Sequence, residues 1–178
     1  MKAKAAPLSL DVSYPTLIHL VSELEGSCDA GYDVEYDVQV AQSKTEERRW
    51  RVELGVKFSA KGVKRPAYKG EIRYVGIFTV SGDYPAEKIS RLVAVNAPTI
   101  LYSSIRELVA LLTGRSPLRP SVLLPSVSFI EAVIRPLPES DAQADRAPVV
   151  KETPDVGTTE RRKTTSRPRH KARQHAGR

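Results

Sequence analysis

Apolar and polar side chains alternate one for one through three stretches of the first half of the chain. In DVEYDVQVA (33–41), Val34, Tyr36, Val38 and Val40 point one way, and Glu35, Asp37 and Gln39 the other. In RWRVELGVKFSA (49–60), Trp50, Val52, Leu54, Val56, Phe58 and Ala60 share a face opposite Arg49, Arg51, Glu53 and Lys57. In YKGEIRYVGIFTV (68–80), Ile72, Tyr74, Phe78 and Val80 share a face, interrupted by Gly70 and Gly76. Period-two alternation of this length predicts strands with one face wet. An earlier stretch, TLIHLVSELE (16–25), is apolar on both faces and is read as the first strand. The connections SKTEE (43–47) and KGVKRPA (61–67) are short and polar. They predict an antiparallel meander, since parallel neighbours need long crossovers.

After Gly82 the period changes to that of a helix. Pro85 to about Val95 predicts a short helix with Asp83 as its cap, and Asn96-Ala97-Pro98 predicts a break and restart. The main helix then runs to about Thr113 and stops at Gly114 in a left-handed turn. Leu101, Ile105, Leu108 and Leu112 form its stripe, widened by Ile100, Val109 and Leu111. A further short helix is expected near Ser128–Ile134. The fold class is therefore α+β: a four-stranded antiparallel meander, a long C-terminal helix and a short second helix. The domain is expected over 15–136, with a flexible leader at 1–14 and a disordered tail at 137–178.

The stretch between the helices fits neither period. RSPLRPSVLLPSVSF (115–129) is apolar but broken by three prolines, which keep it extended. Together with the wide helical stripe it carries more apolar surface than one chain of this size readily hides. Self-association through the helix, at Leu101, Ile105, Leu108 and Leu112, is the expected outlet.

Composition alters this picture in one respect. The net charge of +7 comes from the last 19 residues, where 160–178 hold eight Lys/Arg and one acid. The remaining 20 basic and 20 acidic side chains cancel, so the body is neutral and the tail basic. Such a tail is suited to weak, salt-sensitive contact with nucleic acid, or simply to solvation. A single cysteine, Cys28, excludes an internal disulfide. No apolar run is long enough to span a bilayer, and MKAKAAPLSLDVSYP lacks the apolar segment of a secretory signal. A cytoplasmic protein without membrane insertion is expected.

Motifs for catalysis are absent from the sequence. No Cys/His spacing suits zinc, no Gly-rich phosphate loop occurs, and no serine sits in a nucleophile elbow. His19 falls within a strand, while His170 and His175 fall in the tail. The expectation is a protein that is not an enzyme and holds no metal or cofactor.

One series of short motifs narrows the reading. Glu71-Ile72-x-Tyr74-x-Gly76-Ile77-Phe78 is followed by Asn96-Ala97-Pro98-x-x-Leu101-Tyr102-x-x-Ile105-Arg106, then Leu112-Thr113-Gly114-Arg115, then Leu123-Leu124-Pro125-x-Val127-x-Phe129. In this order and spacing, over about 16–135, the sequence resembles the SecB export-chaperone family. The resemblance implies a dimer of dimers with helices packed between sheets. It also implies grooves for unfolded polypeptide, hand-over of preproteins to the SecA ATPase, and no catalytic site. It places SecA docking on the wet face of the sheet, at Glu71 and, more loosely, Glu25. Lys57, Lys69 and Arg73 share that face and make it less acidic. The implied client groove has Trp50, Phe58, Tyr74 and Phe78 on one side and Leu118, Val122, Leu123, Leu124, Val127 and Phe129 on the other. Alternation alone places the four sheet aromatics in the core under the helix. Protection of an antitoxin, a role some SecB-like proteins take, and nucleic-acid binding through the tail remain as alternatives.

Overall fold

A computed structural model describes residues 6–23, 25–26, 31–62, 67–115 and 121–137. Residues 138–178 of the expected tail and Leu118 lie outside these described residues, whereas Leu137, placed in the tail by its composition, is buried against the domain. Four long strands, β1 (Leu8–Ser22), β2 (Tyr32–Gln42), β3 (Arg49–Ala60) and β4 (Tyr68–Val80), precede one helix, α1 (Ala86–Gly114), and a three-residue strand, β5 (Ile134–Pro136). The sheet order is β1-β4-β3-β2-β5. The four long strands are antiparallel as expected, but only β2, β3 and β4 form a meander: β1 pairs with β4 at the far side of the sheet instead of with β2, and β5 joins β2 in parallel. The expected leader gives way to strand at Leu8, and the expected second helix is replaced by a turn at 130–131 and by β5.

Alternation identified β2, β3 and β4 because each is regular from end to end. Val52, Leu54, Val56 and Phe58 are buried on one face of β3, while Lys57 and Ser59 are exposed on the other. In β1 the pairing with β4 shifts between Leu10 and Val12 and again between Pro15 and Leu17. Each extra residue turns the following side chains over. Leu10 and Ile18 stand opposite Phe78 and Ile72 on the helix side, whereas Val12, Tyr14 and Leu17 stand opposite Ile77, Val75 and Arg73 on the outer side. This is why the strand reads as apolar on both faces. Val75 and Ile77 are buried on that outer side, so the outer face is not uniformly wet.

The helix runs unbroken through Pro98 for 29 residues, about 43 Å. A proline in a helix interior costs about 3 kcal/mol, since its ring displaces one backbone hydrogen bond. Here the ring and Ala97 are buried against the sheet, and packing outweighs the local preference for a break. The helix starts after Pro85 with no side-chain cap, so Asp83 does not cap it. Gly114 is its last residue and Arg115 continues in right-handed geometry, in place of the expected left-handed stop. The buried stripe is Ile89, Val93, Ala97, Leu101, Ile105, Val109 and Thr113, so it leaves the expected line after Ile105. Leu101 and Ile105 are consumed within the chain; Leu108 is half-buried, and Leu111 and Leu112 are exposed.

Close approach of α1 to the sheet depends on Gly76. A Cβ placed there would lie 2.8 Å from Leu101 Cδ2 and 2.7 Å from Phe78 Cε2. Such distances are well inside van der Waals contact, so the bare backbone forms a notch for the leucine.

Candidate functional site

The segment 121–129 pairs with no strand among the described residues, yet it alternates like one. Val122, Leu124 and Phe129 are buried in the core, Val127 is half-buried, and Ser121, Leu123, Pro125 and Ser128 are exposed. Its backbone is tied to α1 at three points. Val122 N donates to Thr113 Oγ1 at 2.9 Å, and that hydroxyl donates to Val109 O at 2.7 Å. Arg106 Nε donates to Leu124 O at 3.0 Å, and Tyr102 OH donates to Pro125 O at 2.6 Å. Phe129 then sits edge-on to both Tyr102 and Tyr36, with ring centroids 5.8 and 4.9 Å away.

These ties carry two expectations. Thr113→Val keeps the shape but leaves the buried Val122 N–H without an acceptor. Chemical denaturation should show a loss of about 1–3 kcal/mol, with Thr113→Ser close to wild type. Burial raises the Tyr102 phenol above its ordinary 10.0, against a smaller lowering influence from Arg106. The folded state thus favours the neutral phenol, whose contribution is whole below 10.0 and is lost as pH rises through the raised value. Tyr102→Phe should cost about 1 kcal/mol at neutral pH. The gap to wild type should close in strongly alkaline buffer, as read from urea midpoints across pH.

With its inward side chains used, the stretch leaves large apolar groups outside. Leu123, Ile130 and Val133 are 73, 70 and 79 % exposed, and Ile134 is 37 % exposed. Of the proposed client contacts among the described residues, only Leu123 is strongly exposed. Phe58, Phe78, Val122, Leu124 and Phe129 are buried, and Trp50, Tyr74 and Val127 pack against the core from its margin. The burial of the sheet aromatics follows their alternation. Ile130, Val133 and Ile134 were missed because 128–134 reads as a helix. The run S-F-I-E-A-V-I-R-P, β-branched and closed by Pro136, held the strand signal.

On the outer face a shallow cleft of about 360 Å³ is lined by His19, Asp33, Glu35, Lys57, Lys69 and Glu71, among others. A smaller hollow beside it opens over Gly55, between Asp37 and Arg73. Glu71 stands at the centre but is not a free carboxylate. Lys57 Nζ lies 3.7 Å from its Oε2, and Arg73 Nε donates to its Oε1 at 3.0 Å. Glu25 is exposed in a turn after β1. Among the described residues, no group of three or more His, Cys, Asp or Glu is placed to hold a metal ion. No helix among them is long and apolar enough to cross a membrane.

Residues 26–133 match the family described as "Preprotein translocase subunit SecB". The chain belongs to the SecB family. Curated relatives agree with this assignment. The protein-export protein SecB of Psychrobacter arcticus is 25 % identical over 116 residues, which is 64 % of this chain and 77 % of that one. The SecB of Methylococcus capsulatus is 29 % identical over 114 residues, 64 % of this chain and 72 % of that one. Among solved structures, the fold is similar to the SecB-like chaperone of Mycobacterium tuberculosis, determined in complex with a peptide from the HigA1 antitoxin. That likeness has a TM-score of 0.52 and 18 % identity, over 68 % of this chain and 91 % of that one. Against the SecB pattern, the Leu112-Thr113-Gly114-Arg115 motif gains a physical meaning: its threonine hydroxyl fastens the returning segment.

Proposed function

We propose that this SecB-family chain is an ATP-independent holdase that takes unfolded polypeptide on the apolar surface of 121–134. The observation that carries the reading is the exposure of Leu123, Ile130 and Val133 on a stretch whose backbone is otherwise anchored to α1. Several weak apolar contacts along one unfolded chain sum to useful avidity. Preferential binding of the unfolded state then keeps a client from folding, by mass action alone. No catalytic step and no cofactor enter this mechanism. A cytoplasmic homotetramer, built as a dimer of dimers with the exposed Leu111 and Leu112 of α1 in its contacts, is part of the proposal.

The fate of the client is the finer question. Export through SecA would draw on Glu71 and Glu25, but two cations already occupy Glu71. That neutralisation favours a second reading, in which clients are retained and protected, as an unstable antitoxin would be. The test is suppression of aggregation of a chemically unfolded client by the purified full chain, without nucleotide. Client aggregation at the same rate with and without a molar excess of the protein would end the holdase reading. Deletion of 160–178 should leave the activity intact while abolishing any salt-sensitive nucleic-acid binding.

A further inference from the structure

The outer face of the sheet carries an apolar strip that the fold does not use. After its first bulge, β1 turns Val12, Tyr14, Leu17, His19 and Val21 to that face, opposite Ile77, Val75, Arg73, Glu71 and Lys69 of β4. Val75 and Ile77 are buried beneath this row, yet Val12, Tyr14 and Leu17 are 47, 42 and 38 % exposed. Val21 is half-buried at the rim of the outer cleft. One apolar layer thus lies under a second, which nothing covers among the described residues. The client surface at 121–134 is elsewhere, its backbone tied to α1 on the inner side of the sheet.

The charges beside the strip narrow what it takes. Lys69 pairs with Glu23 at 3.7 Å, Lys57 with Glu71 at 3.7 Å and Arg73 with Glu71 at 3.0 Å. In each pair the cation's side chain is the more exposed member. A molecule approaching from solvent therefore meets Lys57, Lys69 and Arg73 first. Glu53 is mostly buried beside Arg51, and Asp11, at the far end, accepts a hydrogen bond from Thr79 at 2.7 Å. The carboxylates of Asp33, Glu35 and Asp37 stand on β2, three strands from β1, at about 14 Å. A second copy of this face would set cations against cations. A broad polyanion, such as a bilayer or a nucleic acid, would press on the β2 carboxylates as well.

We propose that the outer side of β1 and β4 docks an amphipathic helix of a partner protein, one whose apolar stripe is flanked by carboxylates. A helix about 10 Å wide covers two strands and stops short of β2. The row from Ile77 to Lys69 is about 26 Å long, the length of a helix of about 18 residues. The inner face has the same solution, since α1 buries its stripe against the sheet there. Apolar side chains of the partner lie on Val12, Tyr14 and Leu17, and its carboxylates reach Lys69 and Arg73. Such a partner is opposite in charge to one drawn to Glu71 and Glu25. It also leaves 121–134 free, so a docked chaperone keeps its holding capacity.

The test uses two fluorescein-labelled helical peptides of about 18 residues with the same leucine stripe, flanked by glutamate in one and by lysine in the other. The protein is the full chain carrying Leu123→Glu and Ile130→Glu, so that the leucines are not held as a client. Fluorescence anisotropy should show the glutamate peptide bound at least about tenfold more tightly. Tyr14→Ser with Leu17→Ser should weaken that binding about tenfold, and Lys69→Glu with Arg73→Glu should reverse the preference. All four side chains are solvent-accessible, so these changes leave the fold intact. Equal binding of the two peptides, undiminished binding after the Tyr14 and Leu17 changes, or an unreversed preference would overturn the proposal. So would co-sedimentation with phosphatidylglycerol vesicles, or an oligomeric state by light scattering, that depends on Tyr14 and Leu17, since lipid or a second copy would then occupy the strip. A wild-type chain that binds the glutamate peptide but does not suppress aggregation would remove the holdase reading alone.

Discussion

Leu101→Ala is expected to destabilise the folded chain by about 3 kcal/mol, the largest loss from any single truncation in α1. Leu101 is fully buried, midway along the helix, and its Cδ2 fills the notch over Gly76. Truncation removes the transfer energy of three carbons and leaves a cavity between two rigid elements that cannot collapse into it. Gly76→Ala attacks the same contact from the other side. Its added methyl meets Leu101 Cδ2 and the Phe78 ring, and overpacking of this kind costs about 1–3 kcal/mol. The two changes should not add. With Leu101 shortened the helix-side clash disappears, so the double variant should be more stable than the sum by more than about 0.5 kcal/mol. Guanidinium denaturation at fixed protein concentration reads this directly. Simple additivity would show that Leu101 and Gly76 do not share a contact.

Leu123→Glu combined with Ile130→Glu should abolish client holding while leaving the fold intact. Both side chains are largely exposed, so their replacement should shift stability by no more than about 0.5 kcal/mol. An apolar client laid over them would have to desolvate two carboxylates, and suppression of aggregation should fall at least about tenfold. Leu124→Glu is a poor substitute, because Leu124 is buried and its loss would damage the fold. A double variant that holds clients as wild type does would move the client surface away from 121–134.

Much of this architecture was legible because period-two patterning is a direct image of a sheet with one buried face. β2, β3 and β4 are regular, and their order and the meander follow from short connections. β1 was obscured by two bulges, which change the facing of side chains without changing their composition. Pro98 misled in the opposite sense: a local rule predicted a break, and burial against the sheet overrode it. Apolar composition and the three prolines located the stretch 115–129 but not its division. Which leucine turns inward depends on the hydrogen bonds from Thr113, Arg106 and Tyr102, and these involve residues far apart in sequence. β5 was hidden because a three-residue strand draws its stability from the edge it joins.

The fastening of 121–129 has an evolutionary side. Val122 is gripped by its N–H, and Leu124 and Pro125 by their carbonyls. Every residue except proline offers that N–H, and every residue offers that carbonyl. The path of the segment is therefore insured against substitution at its outward positions, 121, 123, 126 and 128. Those positions are free to drift in size and polarity at almost no cost to folding. A lineage could retune what its chaperone holds by changing a few outward side chains, on a track that does not move.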